Sequence, residues 1–231
     1  MSRRQRHPHI VRTPVEPPEE LLLPAGPPPP TISPRRYARM LTTLARRQPD
    51  LTVVLENIHD SFNLSAVLRT CDAVGVGTVH LVYSGEKRPH ISPGVAGSTQ
   101  RWLSLYRRRS VEEVYAALRS KGLRIYATGL AEGALLPQEV DLTQPSAIVL
   151  GNENRGLSPA ALALADAIVY IPMRGMAQSV NVTVAAAMLL YEAQRQRATA
   201  GFYDAPRLPE AEWRALLERW LEREHRGQAG R

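Results

Sequence analysis

The chain holds one cysteine, two phenylalanines and two lysines in 231 residues, and each scarcity narrows what it can be. A lone Cys71 excludes an internal disulfide and any multi-cysteine metal site, and it suits a reducing compartment, the cytoplasm by default. No apolar run approaches the roughly 20 residues of a membrane span. The opening MSRRQRHPHIVRTP lacks the hydrophobic stretch of a signal peptide, so a soluble protein with no membrane partner is expected. The six histidines show no HExxH or other ligand spacing, and no metal is expected. There is no Walker loop, and Gly75-Val76-Gly77 does not continue as the glycine fingerprint of dinucleotide sites. The common nucleotide-binding modes are therefore unsupported.

Arginine is what the chain has in excess. It supplies 27 of the 29 basic residues, Lys87 and Lys121 being the others, and the net charge is +7. A planar guanidinium grips phosphate well, so an anionic partner fits, although an arginine-rich genome or a hot habitat would produce the same skew. Residues 1–34 hold ten of the 19 prolines and read as a disordered or polyproline extension. Residues 35–50 read as a basic amphipathic helix. Tyr37, Met40, Leu41 and Leu44 form its apolar stripe, while Arg35, Arg36, Arg39, Arg46 and Arg47 fall opposite at 100° per residue. Five arginines without an acid favour contact with phosphate over a merely solvated face.

From residue 51 to about 200 apolar strands alternate with capped helices. The expected strands are 51–55, 78–83, 102–106, 123–127, 147–150 and 167–171. Helices are expected from Asn63 to Val74, from Val111 after Ser110, from Pro159 after Ser158, and from Val182 with Ser179 as cap. Cys71 lies on an apolar helix stripe and reads as core. The pattern predicts an α/β domain with a mainly parallel, doubly wound sheet. Residues 201–231 form an extension whose last helix starts near Pro209 and puts Trp213, Leu216, Leu217, Trp220 and Leu221 on one face.

Ligands in such sheets sit beyond the carboxyl ends of the strands, and polar residues and glycines gather there: 57–63, 128–130, 151–156 and 173–181. The chemistry-bearing set is Asn63, Arg69, Glu153, Ser179 and Asn181. It holds hydrogen-bonding groups, one carboxylate and one arginine, with no nucleophile triad, and a transfer reaction on a hydroxyl fits it.

Three stretches read together, NLSAVLRTCDAVGV (63–76), IVLGNENRGLS (148–158) and IPMRGMAQSVNVTVAAAMLLYEAQRQR (171–197), resemble the motifs of the SpoU branch of the SPOUT methyltransferases, with the flanks most like its TrmH-type members. The similarity runs from about Tyr37 to Trp213. It implies a carboxyl-terminal trefoil knot in the sheet domain, a homodimer, S-adenosyl-L-methionine as methyl donor, and 2′-O-methylation of a ribose in tRNA, guanosine 18 first, with ribosomal RNA as the runner-up. By the same resemblance Asn63, Arg69, Glu153, Ser179 and Asn181 match catalytic positions. Thr128, Gly151, Ile171, Met173 and Val180 match positions around the methyl donor. Arg195 and Arg197 match basic residues that face tRNA phosphates, joining Arg36, Arg39, Arg46 and Arg47. Two departures stand out: Asp60-Ser61-Phe62-Asn63 replaces a Lys-Pro-His-Asn run, and Asn154 stands where lysine is usual.

Overall fold

The computed structural model describes residues 23–85, 89–91 and 99–229. Most of the proline-rich extension, residues 1–22, lies outside them. Six strands, β1 (Gln48–Glu56), β2 (Val76–Val82), β3 (Ser104–Arg108), β4 (Arg124–Thr128), β5 (Ser146–Leu150) and β6 (Ala167–Val169), form one sheet in the order β3-β2-β1-β5-β4-β6. Every pairing is parallel. Two-sided burial explains the near-continuous apolar strands such as Leu51–Leu55. Helix α2 (Ser61–Ala73) and helix α5 (Val182–Thr199) cover one face, packing on Val53, Leu55, Val79 and Leu81. Helix α3 (Val111–Arg119) and the single turn α4 (Pro159–Ala163) cover the other, over Val54, Ile125, Ala127 and Val149. Ser110 and Ser158 cap these two as expected, accepting from the N–H of Glu113 and Ala161.

The chain leaves β1 towards β2 and β3, then returns to build β5, β4 and β6 on the other side. Loops after β1 and β5 therefore diverge at a switch point, the place where open α/β sheets leave a crevice.

A third cluster joins helix α1 (Pro34–Ala45) to helix α6 (Glu210–Ala229) through Met40, Leu44, Trp213, Leu217 and Trp220. Leu23 and Ile32 are buried in it and Ala25 packs against it, so these residues of the expected disordered extension meet the fold. The expectation for Arg47 is also overturned. Helix α1 stops at Ala45, so Arg47 does not follow the 100° progression. It turns inward, 2% exposed, donating to Val76 O (2.8 Å), Trp102 O (3.1 Å) and Asp72 Oδ1 (2.6 Å). Cys71 is fully buried, and burial pushes its thiol up to about 12.

Near the β3 edge His80 stacks on Tyr106 with ring centroids 5.4 Å apart, and its Nδ1 has no partner among the described residues. Burial, helped by the charges of Arg108 and Lys121, pulls this imidazole from 6.5 down to about 4. A lowered folded value means the unfolded chain takes up the proton first, so the stability present above pH 6.5 is lost as pH falls towards 4. Urea unfolding across that window is expected to show a loss on the order of 2 kcal/mol, absent in His80→Phe.

Candidate active site

The loop ends at the switch point are drawn together by hydrogen bonds. Asp60 caps α2, its Oδ1 accepting from the Asn63 N–H at 2.7 Å, which accounts for an acid just before this chain's first motif: a carboxylate suits a helix N-terminus. Asn63 sits in the first helical turn. Its Nδ2 donates to Glu153 Oε1 (2.9 Å), and its Oδ1 accepts from Asn181 Nδ2 (3.2 Å). Asn181 Oδ1 in turn accepts from the N–H and the hydroxyl of Thr183, both at 2.7 Å. Because a carboxylate can only accept, Glu153 orients the Asn63 amide and leaves its oxygen for Asn181. Three expected site residues from three separate motifs thus form one chain.

Two expectations change. The cap of α5 is Asn181, with helix beginning at Val182, so Ser179 lies exposed two residues short of the cap, in the loop 170–181. Arg69 does not join the Asn63 chain. Six residues at 100° each place it about 120° round α2 and about 9 Å along it, with an exposed side chain.

Thr128 ends β4 and pairs with Val169. Ile171, Met173 and Val180 are half-buried along the 170–181 loop, with Leu130 87% exposed beside the end of β4. Gly151 follows β5, where an added Cβ would come within 2.4 Å of the Gly156 carbonyl carbon and the Leu157 nitrogen. Glycine is required there by the 151–157 loop's own backbone. That loop closes through paired bonds between Asn152 and Gly156 (3.0 and 2.8 Å). An open groove of about 1020 Å³ runs alongside, lined by Asn57, His59, Asp60, Asn63, Glu153 and Arg155 among others. Tyr83 donates to Ile58 O (2.9 Å), and burial holds its phenol up at about 12. Among the described residues no group of three or more His, Cys, Asp or Glu stands ready for a metal.

Of the expected basic residues, Arg39 is exposed and Arg46 half-buried. Arg36 pairs with Glu224 (3.0 Å) and lies 4.9 Å over the Trp102 ring, and Arg195 forks onto Glu192 (2.7 and 2.9 Å). Arg197 is a correction. It continues the buried stripe Ala186, Leu190, Ala193 and is 0% exposed, bound to Asp50 Oδ1 (2.6 Å), Leu142 O (2.8 Å) and Gln144 O (3.2 Å). It fastens the core and has no surface for phosphate. Glu56, Asn57 and Asn152 carry no signal in the sequence beyond lying at or beside strand ends. Glu56 is 5% exposed and accepts from the Ser158 N–H at 2.8 Å.

A family model described as the SpoU rRNA Methylase family matches residues 50–191. The chain belongs to this family. Among its SpoU relatives is the tRNA (guanosine(18)-2'-O)-methyltransferase of Escherichia coli K12, 47% identical over 188 residues, which cover 80% of this chain and 82% of that protein. The crystal structure of the A. aeolicus TrmH/SpoU tRNA modifying enzyme superposes with a TM-score of 0.79 at 37% identity, covering 82% of this chain and 96% of that one. AviRb, a SpoU methyltransferase from Streptomyces viridochromogenes solved with the cofactor AdoMet, gives a TM-score of 0.58 at 27% identity over 67% of this chain and 59% of its own.

Proposed function

We propose that the chain is an S-adenosyl-L-methionine-dependent methyltransferase acting on the ribose 2′-oxygen of guanosine 18 in tRNA. The observation that carries this is the Asn63–Glu153–Asn181 chain, assembled from all three motifs in a protein nearly half identical to an enzyme of that name. The donor's residues fit it. Thr128 and Gly151 stand at the strand ends where an adenosine would lie, while Ile171, Met173 and Val180, with exposed Leu130, offer apolar surface for its ring. The chemistry the cofactor supplies when bound is a methyl group made electrophilic by its sulfonium.

What remains for the protein is to place the alcohol and help remove its proton. Asn63 and Asn181 hold the geometry, Glu153 fixes Asn63, and Ser179 lines the loop beside them. The Arg69 guanidinium offers only donors and no acceptor, so its part is to bridge phosphate and 2′-oxygen and ease the alcohol's ionisation. The methyltransferase domain begins with β1 at Gln48, three residues before the expected 51, and runs to about residue 200, with the α1 region before it and 201–231 after it as appendages. A trefoil knot in that domain rests on the resemblance of the three motifs, and the 129–145 connection is tied to α5 through Gln196 on Val140 O and Arg197 on Leu142 O. A homodimer is supported by exposed Val184, Met188 and Tyr191 on one side of α5, with exposed Phe62 on α2. The working compartment is the cytoplasm.

Labelled methyl transfer to bulk tRNA and to ribosomal RNA, with the modified nucleotide mapped, tests the assignment. Label at guanosine 18 supports it; label confined to ribosomal RNA replaces it with the runner-up. On the RNA side, Arg39 and Arg46 are free to meet phosphate at the surface of α1 and its end, and Arg36 and Arg195 hold surface ion pairs that phosphate can displace. Replacing these four by alanine is expected to lower the log–log salt slope of tRNA binding by about 0.7–0.9 for each phosphate no longer neutralised, leaving cofactor affinity intact. An unchanged slope places the RNA elsewhere.

A further inference from the structure

Two asparagines outside the expected catalytic set tie three loops of the site together. Asn57, with φ 53°, is the only non-glycine among the described residues in the left-handed region, which asparagine tolerates better than most side chains. Its N–H still completes the ladder by donating to Val82 O (2.9 Å). Its Oδ1 accepts from the Ser84 N–H (3.2 Å), and its carbonyl accepts from Asn152 Nδ2 (2.9 Å). Asn152 Oδ1 then accepts from the N–H groups of Asn154 and Arg155, both at 3.0 Å. Glu153 thus stands in a turn closed by the Asn152–Gly156 pair and tied to the end of β1 through Asn57.

We propose that Asn57, acting through Asn152, is a positioning residue for methyl transfer: its left-handed backbone sets the turn that holds Glu153 against Asn63. Neither asparagine is needed to touch a reacting atom. The inference rests on the roles of Asn63, Glu153 and Asn181 in the proposed function.

The test uses the full chain with Asn57→Ala, Asn57→Gly and Asn152→Asp. Asn57→Ala, whose side chain disfavours positive φ, is expected to lower kcat on the order of ten- to a hundredfold, the scale of a misplacement near 1 Å, with KM for tRNA and cofactor little changed. Glycine adopts that conformation freely, so Asn57→Gly should recover most of the lost kcat. Asn152→Asp keeps the turn's acceptor but loses the N–H to Asn57 O, and should reproduce the alanine loss. In a Glu153→Ala background Asn57→Ala should add no further loss. Parent kcat in Asn57→Ala, equal losses in alanine and glycine variants, or a loss that adds to Glu153→Ala would overturn the proposal. Hydrogen exchange at the amides of Asn154 and Arg155 separates this from the reaction assigned. Faster exchange in Asn57→Ala than in Asn57→Gly supports the device even if the parent methylates no tRNA, and equal exchange overturns it.

Discussion

Arg197→Ala is expected to destabilise the fold by about 3–5 kcal/mol, because it removes a fully buried guanidinium and leaves the buried Gln48 side chain and Leu142 carbonyl without that donor. The bonds it removes run to Asp50, Gln48, Leu142 and Gln144, joining the end of α5 to β1 and to the 140–144 connection. Asp50 would keep only Arg207, which forks onto it at 2.8 Å. Burial raises the Asp50 carboxyl, but hydrogen bonds from Arg207 and Arg197, with their charges, outweigh that and bring it below its usual 3.8. A depressed carboxyl contributes stability above the unfolded value and loses it as pH falls through the folded one, so this contribution fails only in acid, below about pH 4. Urea unfolding should show a lower midpoint at unchanged slope. Arg197→Lys, which retains charge without the fork, should lose less and should leave the salt dependence of tRNA binding at the parent value. A normal midpoint in Arg197→Ala with weakened tRNA binding would return this residue to the RNA surface.

Asn63→Ala is expected to lower single-turnover methylation by about 10²–10³-fold, the scale of one missing preorganised donor, with folding and cofactor affinity retained. The substitution removes both links of the chain at once, freeing Glu153 from one end and Asn181 from the other. Asn181 keeps its cap on Thr183, so α5 should not fray. Arg69→Lys is expected to cost roughly 2–4 kcal/mol in barrier, since lysine lacks the two-pronged grip. As Arg69 is exposed and apart from the chain, the two substitutions should combine nearly additively, whereas Asn63→Ala with Glu153→Ala should not. Parent rates in either single variant would remove that residue from the mechanism.

The strands and most helices are legible because runs such as Leu51–Leu55 and caps such as Ser110 and Ser158 act locally. Sequence misleads at positions where tertiary packing decides. A helix that ends five residues early carries Arg47 from the surface into the core, and no periodicity shows that the end lies at Ala45. Arg197 is readable, since it extends the stripe 186, 190, 193 by four, but its charge argues for solvent. Ser179 and Asn181 are both good caps, and only the bond to Thr183 separates them. Asn63, Glu153 and Asn181 stand out in the motifs; that they touch depends on which strands are neighbours. Asn57 looks like any loop asparagine until its φ is known.

The central claim is transfer to one ribose oxygen, and a single-atom change in the substrate tests it most directly. Two otherwise identical tRNAs, one carrying guanosine and one 2′-deoxyguanosine at position 18, are incubated with the protein and labelled S-adenosylmethionine. The expected result is one methyl per molecule on the first and none on the second, with both binding comparably. Equal labelling of the two tRNAs would contradict it, as would no labelling of either by folded protein that binds the cofactor.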